Sequence, residues 1–182
     1  MNVIEVDNLT KDYGSRRGVF DISFYVGEGE VFGFLGPNGA GKPTMVKLII
    51  RFYDVKSGSI KIDGQDLRDF NRGELRRMFG MVLQDTWLFN GTIEENIRYG
   101  RLTATHEEVV EAAKAAYVHR FVQTLPGGYD MVLNEEASNV AQGQKQLLTI
   151  ARAILADPRI LILDEATSSV DTRTEVRIQK AM

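Results

Sequence analysis

The sequence contains no cysteine. Disulfides, thiolate metal sites and a cysteine nucleophile are therefore excluded, which fits a cytosolic setting. No apolar run approaches the roughly 20 residues that a membrane-spanning helix needs. The first ten residues, MNVIEVDNLT, lack the basic stretch followed by an apolar one that marks a signal peptide. A role at a membrane would therefore run through a partner. There is no excess of positive charge either. The 22 Lys and Arg against 25 Asp and Glu leave a net charge of −3, which argues against a nucleic-acid partner. No repeat or low-complexity segment interrupts the chain. What is present is ordinary for a folded protein: 182 residues, 43% apolar and 26% charged, enough for one domain with its own core.

The N-terminal third reads as strands. In MNVIEVDNL, Val3, Glu5 and Asp7 alternate with Ile4, Val6 and Asn8. VFDISFYV (19–26) alternates as well, and EVFGFLG (30–36) is a nearly continuous apolar run, as in a buried parallel strand. TMVKLIIRFY places Met45, Leu48, Ile49 and Phe52 at helical spacing. GSIKIDGQD predicts a short strand with an Asp-Gly turn, and FGMVLQD another strand.

The middle reads as helical. Thr92 with Glu95, and Thr105 with Glu108, match the Ser/Thr-x-x-Glu capping box. The alanine-rich stretch predicts one helix near 106–123, broken by LPGG at 125–128. GQKQLLTIARAIL predicts a helix with Leu147, Ile150, Ala151 and Ile154 on one face, stopped by Asp157-Pro158. RILILDE is a buried strand, and Thr172 with Glu175 caps a last helix. Strands alternating with helices indicate an α/β fold with a parallel sheet. Residues 1–84 with 156–182 are expected to form the core with its β subdomain, and 85–155 an inserted helical subdomain.

Two stretches carry chemistry. GPNGAGKPT (36–44) is one residue short of a standard phosphate-binding loop. Gly36, Gly39 and Gly41 let the backbone turn tightly and aim N–H groups inward. The following helix turns its positive end to the same point. Lys42 supplies a mobile charge for β- and γ-phosphates. The plain alternative is a glycine-rich strand-to-helix turn. The second stretch is ILILDEATSSVD. A carboxylate at the tip of a buried strand is costly unless it meets a cation. Asp164 is suited to hold Mg²⁺ through water, and Glu165 to polarise an attacking water. Solvated strand-end acids are the plain alternative there.

With these motifs in order, nearly the whole chain resembles the ATP-binding domain of ABC transporters. The resemblance implies a P-loop NTPase (RecA-like) core, an N-terminal antiparallel β subdomain and an inserted helical subdomain. Tyr13 resembles the aromatic residue that stacks on adenine. Gly36, Pro37, Asn38, Gly39, Ala40, Gly41, Lys42, Pro43 and Thr44 fall on the phosphate loop. Gln84 resembles the glutamine that touches Mg²⁺ and the contact with the membrane domain. NVAQGQKQ (139–146) resembles the signature motif, placing Ala141, Gly143 and Gln144 at the nucleotide. ILILDE and SSVD (168–171) resemble Walker B and the D-loop, while DTWLFNGTIEENI and LPGGYD resemble export-type half-transporters. The family implies ATP and Mg²⁺ as ligands and a head-to-tail dimer of two such domains sandwiching two ATP molecules. It also implies a transmembrane partner contacting the region around 84–100, and a cytoplasmic position peripheral to the membrane. Lys42, Gln84 and Glu165 would carry catalysis, with Asp164 and Gln84 on the metal. A P-loop kinase or GTPase is the competing class. The signature-like helix, Gln84 and the lack of an Asn-Lys-x-Asp motif argue against it.

The sequence departs from the family at three places. Pro43 replaces the Ser or Thr that gives a hydroxyl to Mg²⁺, and proline also biases Lys42 away from helical angles. Ala141 stands where the signature has serine. The chain also ends at Met182, before the family's switch histidine and a strand that would lie between the Walker A and Walker B strands. His106 and His119 read as ordinary helix residues instead. The expectation is a truncated domain in which ATP binding outlasts efficient hydrolysis. The alternative is a non-catalytic chain that keeps the fold. Residues 1 to about 50 resemble a different branch of the family from the rest, which suggests a recombinant chain.

Overall fold

The computed structural model describes residues 2–15, 17–30, 32, 41–82, 87–134 and 137–163, with Lys42 described by its backbone alone. The chain divides into two units, residues 1–78 and 79–182.

In the first unit, β1 (Asn2–Asp12) lies between β2 (Gly18–Gly27) and β3 (Ser57–Ile62), and β4 (Gln65–Asp66) completes an antiparallel sheet of order β2-β1-β3-β4. The expected alternation holds at first. Ile4 and Val6 are buried opposite Ile62 and Ile60, also buried. It then fails at Asn8, where φ is 45° and the register with β2 shifts between Val6 and Leu9. Leu9 takes the buried place. Asp63 and Gly64 both have positive φ (50° and 80°), as a two-residue hairpin turn requires.

Helix α1 (Lys42–Ile49) buries Met45, Leu48 and Ile49. Phe52, expected on the same face, lies past the helix end, is 55% exposed, and has the Arg76 guanidinium 4.8 Å from its ring. The cause is Arg51, which turns the chain at φ 53° and donates through Nη1 to the carbonyls of Leu67, Arg68 and Phe70. Helix α2 (Arg72–Arg77) is capped by the Asn71 side chain.

In the second unit, β5 (Phe79–Val82) pairs in parallel with β8 (Ile160–Leu163), in keeping with the α/β expectation. A short antiparallel pair, β6 (Gly91–Thr92) with β7 (Val132–Leu133), accompanies four helices: α3 (Ile93–Arg98), α4 (His106–Ala115), α5 (His119–Thr124) and α6 (Gln142–Ala156). Both capping boxes form, at Thr92/Glu95 and Thr105/Glu108.

Two expectations need correction. The single helix over 106–123 is in fact α4 and α5, separated at Tyr117, whose φ is 59°. Ala116, Val118 and Val122 are all wholly buried, so the break returns the apolar side of both segments to one core. On α6, Ile150 and Ala151 are buried as expected, but Leu148 and Leu155 go deeper than Leu147 and Ile154. The helix is enclosed on several sides rather than along one stripe. It ends at Asp157, in the left-handed region just before Pro158.

Candidate functional site

The phosphate-loop expectation is described at its helical end. Gly41 caps α1 with φ 86°, and a Cβ there would come 2.7 Å from Val19 Cγ1. Only glycine suits this position on both counts. Lys42 and Pro43 open the helix, and Met45 N–H donates to the Gly41 carbonyl at 3.0 Å. The expected bias of Lys42 away from helical angles is therefore not seen. Proline in a first turn lacks only an N–H that the helix would leave unpaired in any case. Pro43 is exposed and Thr44 half-buried. Among the described residues no side chain caps α1, and no acid sits in its first turn. The N–H groups and positive end of such a helix start suit an anion.

Tyr13 stands in the tight turn between β1 and β2, where its N–H donates to the Arg17 carbonyl at 2.8 Å. The ring is 48% exposed. Because β2 carries Val19 against Gly41, the turn and the start of α1 are held in one unit.

The signature-like segment opens α6. Ala141 is its extended N-cap (φ −69°, ψ 153°), without a side-chain hydrogen bond, and Gln142, Gly143 and Gln144 form the first turn, again free of acids. Serine at this N-cap would accept a hydrogen bond from the first turn, which alanine does not. Gly36, Pro37, Asn38, Gly39, Ala40, Gln84, Asp164 and Glu165, together with SSVD and the strand expected at 30–36, lie almost wholly outside the described residues. Among the described residues no cluster of three or more His, Asp or Glu has metal-ligating geometry.

The two histidines have local partners. His106 Nδ1 lies 2.7 Å from Glu94 Oε2, and His119 Nδ1 lies 2.8 Å from the Tyr129 hydroxyl. Burial first, then the Glu94 and Glu111 charges, push the Tyr129 pKa up to about 12.

Sequence reasoning passed over Asn96 and Arg152. Asn96 is wholly buried. Its Oδ1 accepts from Phe89 N–H at 3.0 Å and Arg152 Nη2 at 3.1 Å, and its Nδ2 donates to the Phe89 and Thr92 carbonyls at 3.0 Å. Arg152 also donates to the Asn96 and Trp87 carbonyls. Its guanidinium lies 6.0 Å and 5.5 Å from the Trp87 and Tyr99 rings. Burial lowers its pKa, with Tyr99 opposing. The available signal was a polar residue between Ile93 and Ile97 on the apolar side of α3.

The sequence profile of the family described as ABC transporter matches residues 19–168. This chain belongs to that family. Among curated relatives, a Mycobacterium bovis protein named "Fatty acid ABC transporter ATP-binding/permease protein" is 57% identical over 162 residues, 89% of this chain and 26% of its own length. An ABC transporter ATP-binding protein of Bacillus subtilis, YfiC, is 55% identical over 161 residues, 88% of this chain and 27% of its own. A solved structure of a bacterial Atm1-family ABC exporter with ATP bound is 43% identical, with a TM-score of 0.90 over 98% of this chain and 32% of that one. The α/β fold of this ABC chain thus matches that of an exporter. The chain spans about a quarter to a third of the length of these relatives. Both the profile and the structural match cross residue 50, so the recombinant origin finds no support. Among the described residues no helix is long and apolar enough to cross a membrane.

Proposed function

We propose that this chain is the ATP-binding domain of an export-type ABC transporter and takes up ATP with Mg²⁺. The observation that carries the reading is the start of α1. A left-handed glycine opens it, and among the described residues it has no side-chain cap and no acid in the first turn, which suits a phosphate. The names of the relatives and the ATP-bound exporter relative support the same reading.

In this assignment Tyr13 stacks on adenine, the loop from Gly36 to Thr44 cradles the phosphates, and Lys42 neutralises them. Asp164 and Gln84 hold Mg²⁺, and Glu165 polarises the attacking water. Bound Mg²⁺ would neutralise charge developing on the phosphoryl oxygens. A second such domain pairs head to tail, turning its Ala141–Gln144 end toward the γ-phosphate. The region around 84–100 meets the transmembrane partner, and the domain lies at the cytoplasmic membrane face. Residues 1–84 with 156–182 form the nucleotide-binding core and 85–155 the signature subdomain. Pro43 removes a metal-binding hydroxyl and Ala141 a hydroxyl at the sandwich, so binding outlasts efficient hydrolysis.

The test is calorimetric titration of ATP with and without Mg²⁺, beside Pro43→Ser. The expected result is modest affinity in the parent chain and a Mg²⁺-dependent gain of about tenfold in Pro43→Ser, the size of one lost charge-assisted contact. An unchanged Mg²⁺ dependence refutes the assigned cost of Pro43, and no ATP binding in either chain refutes the function. Ala141→Ser is expected to strengthen nucleotide-dependent dimerisation, read by sedimentation.

A further inference from the structure

Tyr13 is not alone at the edge of its sheet. Tyr53, in the loop after α1, meets it edge to face, with ring centroids 6.0 Å apart and planes at 80°. Each ring is about half exposed, at 48% and 47%. The Lys11 ammonium lies at the corner, 5.6 Å from the centre of the Tyr13 ring and 5.9 Å from that of Tyr53. Both contacts fall within the range over which a cation is attracted to a ring face.

The corner is built rather than incidental. Lys11 Nζ donates to the Asp54 carbonyl at 2.8 Å, which ties the Tyr53 loop to β1. Lys56 N–H donates to the Thr10 carbonyl at 2.9 Å, and its ammonium lies 3.5 Å from Asp12. Asp12 in turn accepts from Gly14 N–H at 2.8 Å, inside the turn that carries Tyr13. Asp54 is held from the other side by Arg51 and Arg72, each at 3.1 Å. A half-exposed ring on a turn would otherwise sample several rotamers, and stacking a base on it would have to overcome that freedom.

We propose that Tyr53 and Lys11 are positioning residues that hold the Tyr13 ring as a preformed platform for the base of a nucleotide. The inference rests on the ATP-binding reading and deepens it. Tyr53 supplies an aromatic edge that fixes the ring plane, and Lys11 locks the two loops together. In this reading both residues act on the ring and not on the phosphates, so their effect falls on recognition of the base.

That division gives the experiment. Dissociation constants are measured by calorimetry for ATP and for inorganic tripolyphosphate, with Mg²⁺, on the whole chain and on Tyr53→Ala, Tyr53→Phe and Lys11→Met. Thermal unfolding of each is followed in parallel. Tyr53→Ala is expected to weaken ATP about fivefold, the size of one aromatic pair, and to leave tripolyphosphate unchanged. Tyr53→Phe restores ATP affinity because the ring edge remains. Lys11→Met weakens ATP in the same selective way, and carries the test should Tyr53→Ala not fold. Equal losses for both ligands, or no loss for ATP in either variant, overturn the proposal while leaving ATP binding intact. A parent chain that binds neither ligand overturns the functional reading itself, and this inference with it.

Discussion

Asn96→Ala is the sharpest perturbation of the second unit. The amide makes four hydrogen bonds with no exposed surface. Removing it strips partners from Phe89 N–H, the Phe89 and Thr92 carbonyls, and one arm of Arg152. At a net 0.5–1.5 kcal/mol for each bond, the loss is about 4 kcal/mol. For a chain of this length that corresponds to a fall in Tm of roughly 8–16 °C. The assay is built in: Trp87 is the only tryptophan in the chain, and its carbonyl and ring both face Arg152. Urea unfolding followed by tryptophan emission therefore reports on this unit. Arg152→Met keeps the apolar stem and removes the guanidinium. Because Asn96 and Arg152 share one bond and one loop, the double variant should be milder than the sum of the singles by about 1–3 kcal/mol. A loss below about 1 kcal/mol for Asn96→Ala, or additivity within about 0.5 kcal/mol, refutes the reasoning.

Three further outcomes follow from particular positions. In Gly100→Ala the new Cβ would lie 2.1 Å from the Arg152 carbonyl oxygen and 3.3 Å from Ala156 N. Helical backbone yields little, so urea unfolding should show a loss of about 3 kcal/mol or more. Gly64→Ala meets nothing within 4 Å and suffers only from φ +80°, and should lose about 1 kcal/mol. The raised Tyr129 pKa sets an alkaline limit. The folded unit holds the phenolic proton more tightly, so this contribution is complete below pH 10 and declines until about pH 12. Ultraviolet titration of tyrosinate should show one late component, absent in Tyr129→Phe.

The sequence was most readable where a residue type has a local job. The capping boxes at Thr92 and Thr105 and the Asp63-Gly64 turn depend on neighbours within three positions, and all three formed. The two short apolar runs read as strands became β5 and β8, and their parallel pairing agrees with the α/β expectation, although which strands pair was not read. The failures were non-local. Nothing near Tyr117 announces a break, because the run around it is good helix-forming sequence. The break comes from a core that needs Ala113, Ala116, Val118 and Val122 at once. The slip at Asn8 has a distant partner too. Gly58 packs so closely on the Asp7 and Asn8 carbonyls that a Cβ would come within 2.5 Å of each. At the site, the glycine pattern named Gly41 and the family resemblance named Tyr13 and Ala141, whereas Lys11 and Tyr53 belong to segments far apart in sequence that the pairing of β1 with β3 and the Lys11–Asp54 bond bring together.

Helix α6 contains fifteen residues, which makes it about 22 Å long. Its start at Gln142 and its Arg152 anchor are ten residues apart, or about 15 Å along the axis. The Arg152 guanidinium ties its far part to the Asn96 and Trp87 carbonyls, and buried residues hold it along its length. A tilt of about 5° about Arg152 would carry Gly143, nine residues away, sideways by about 1.2 Å, given the rise per residue. That is enough to turn a hydrogen bond into a gap. The Arg152 contacts and the buried packing together thus fix where the first turn points.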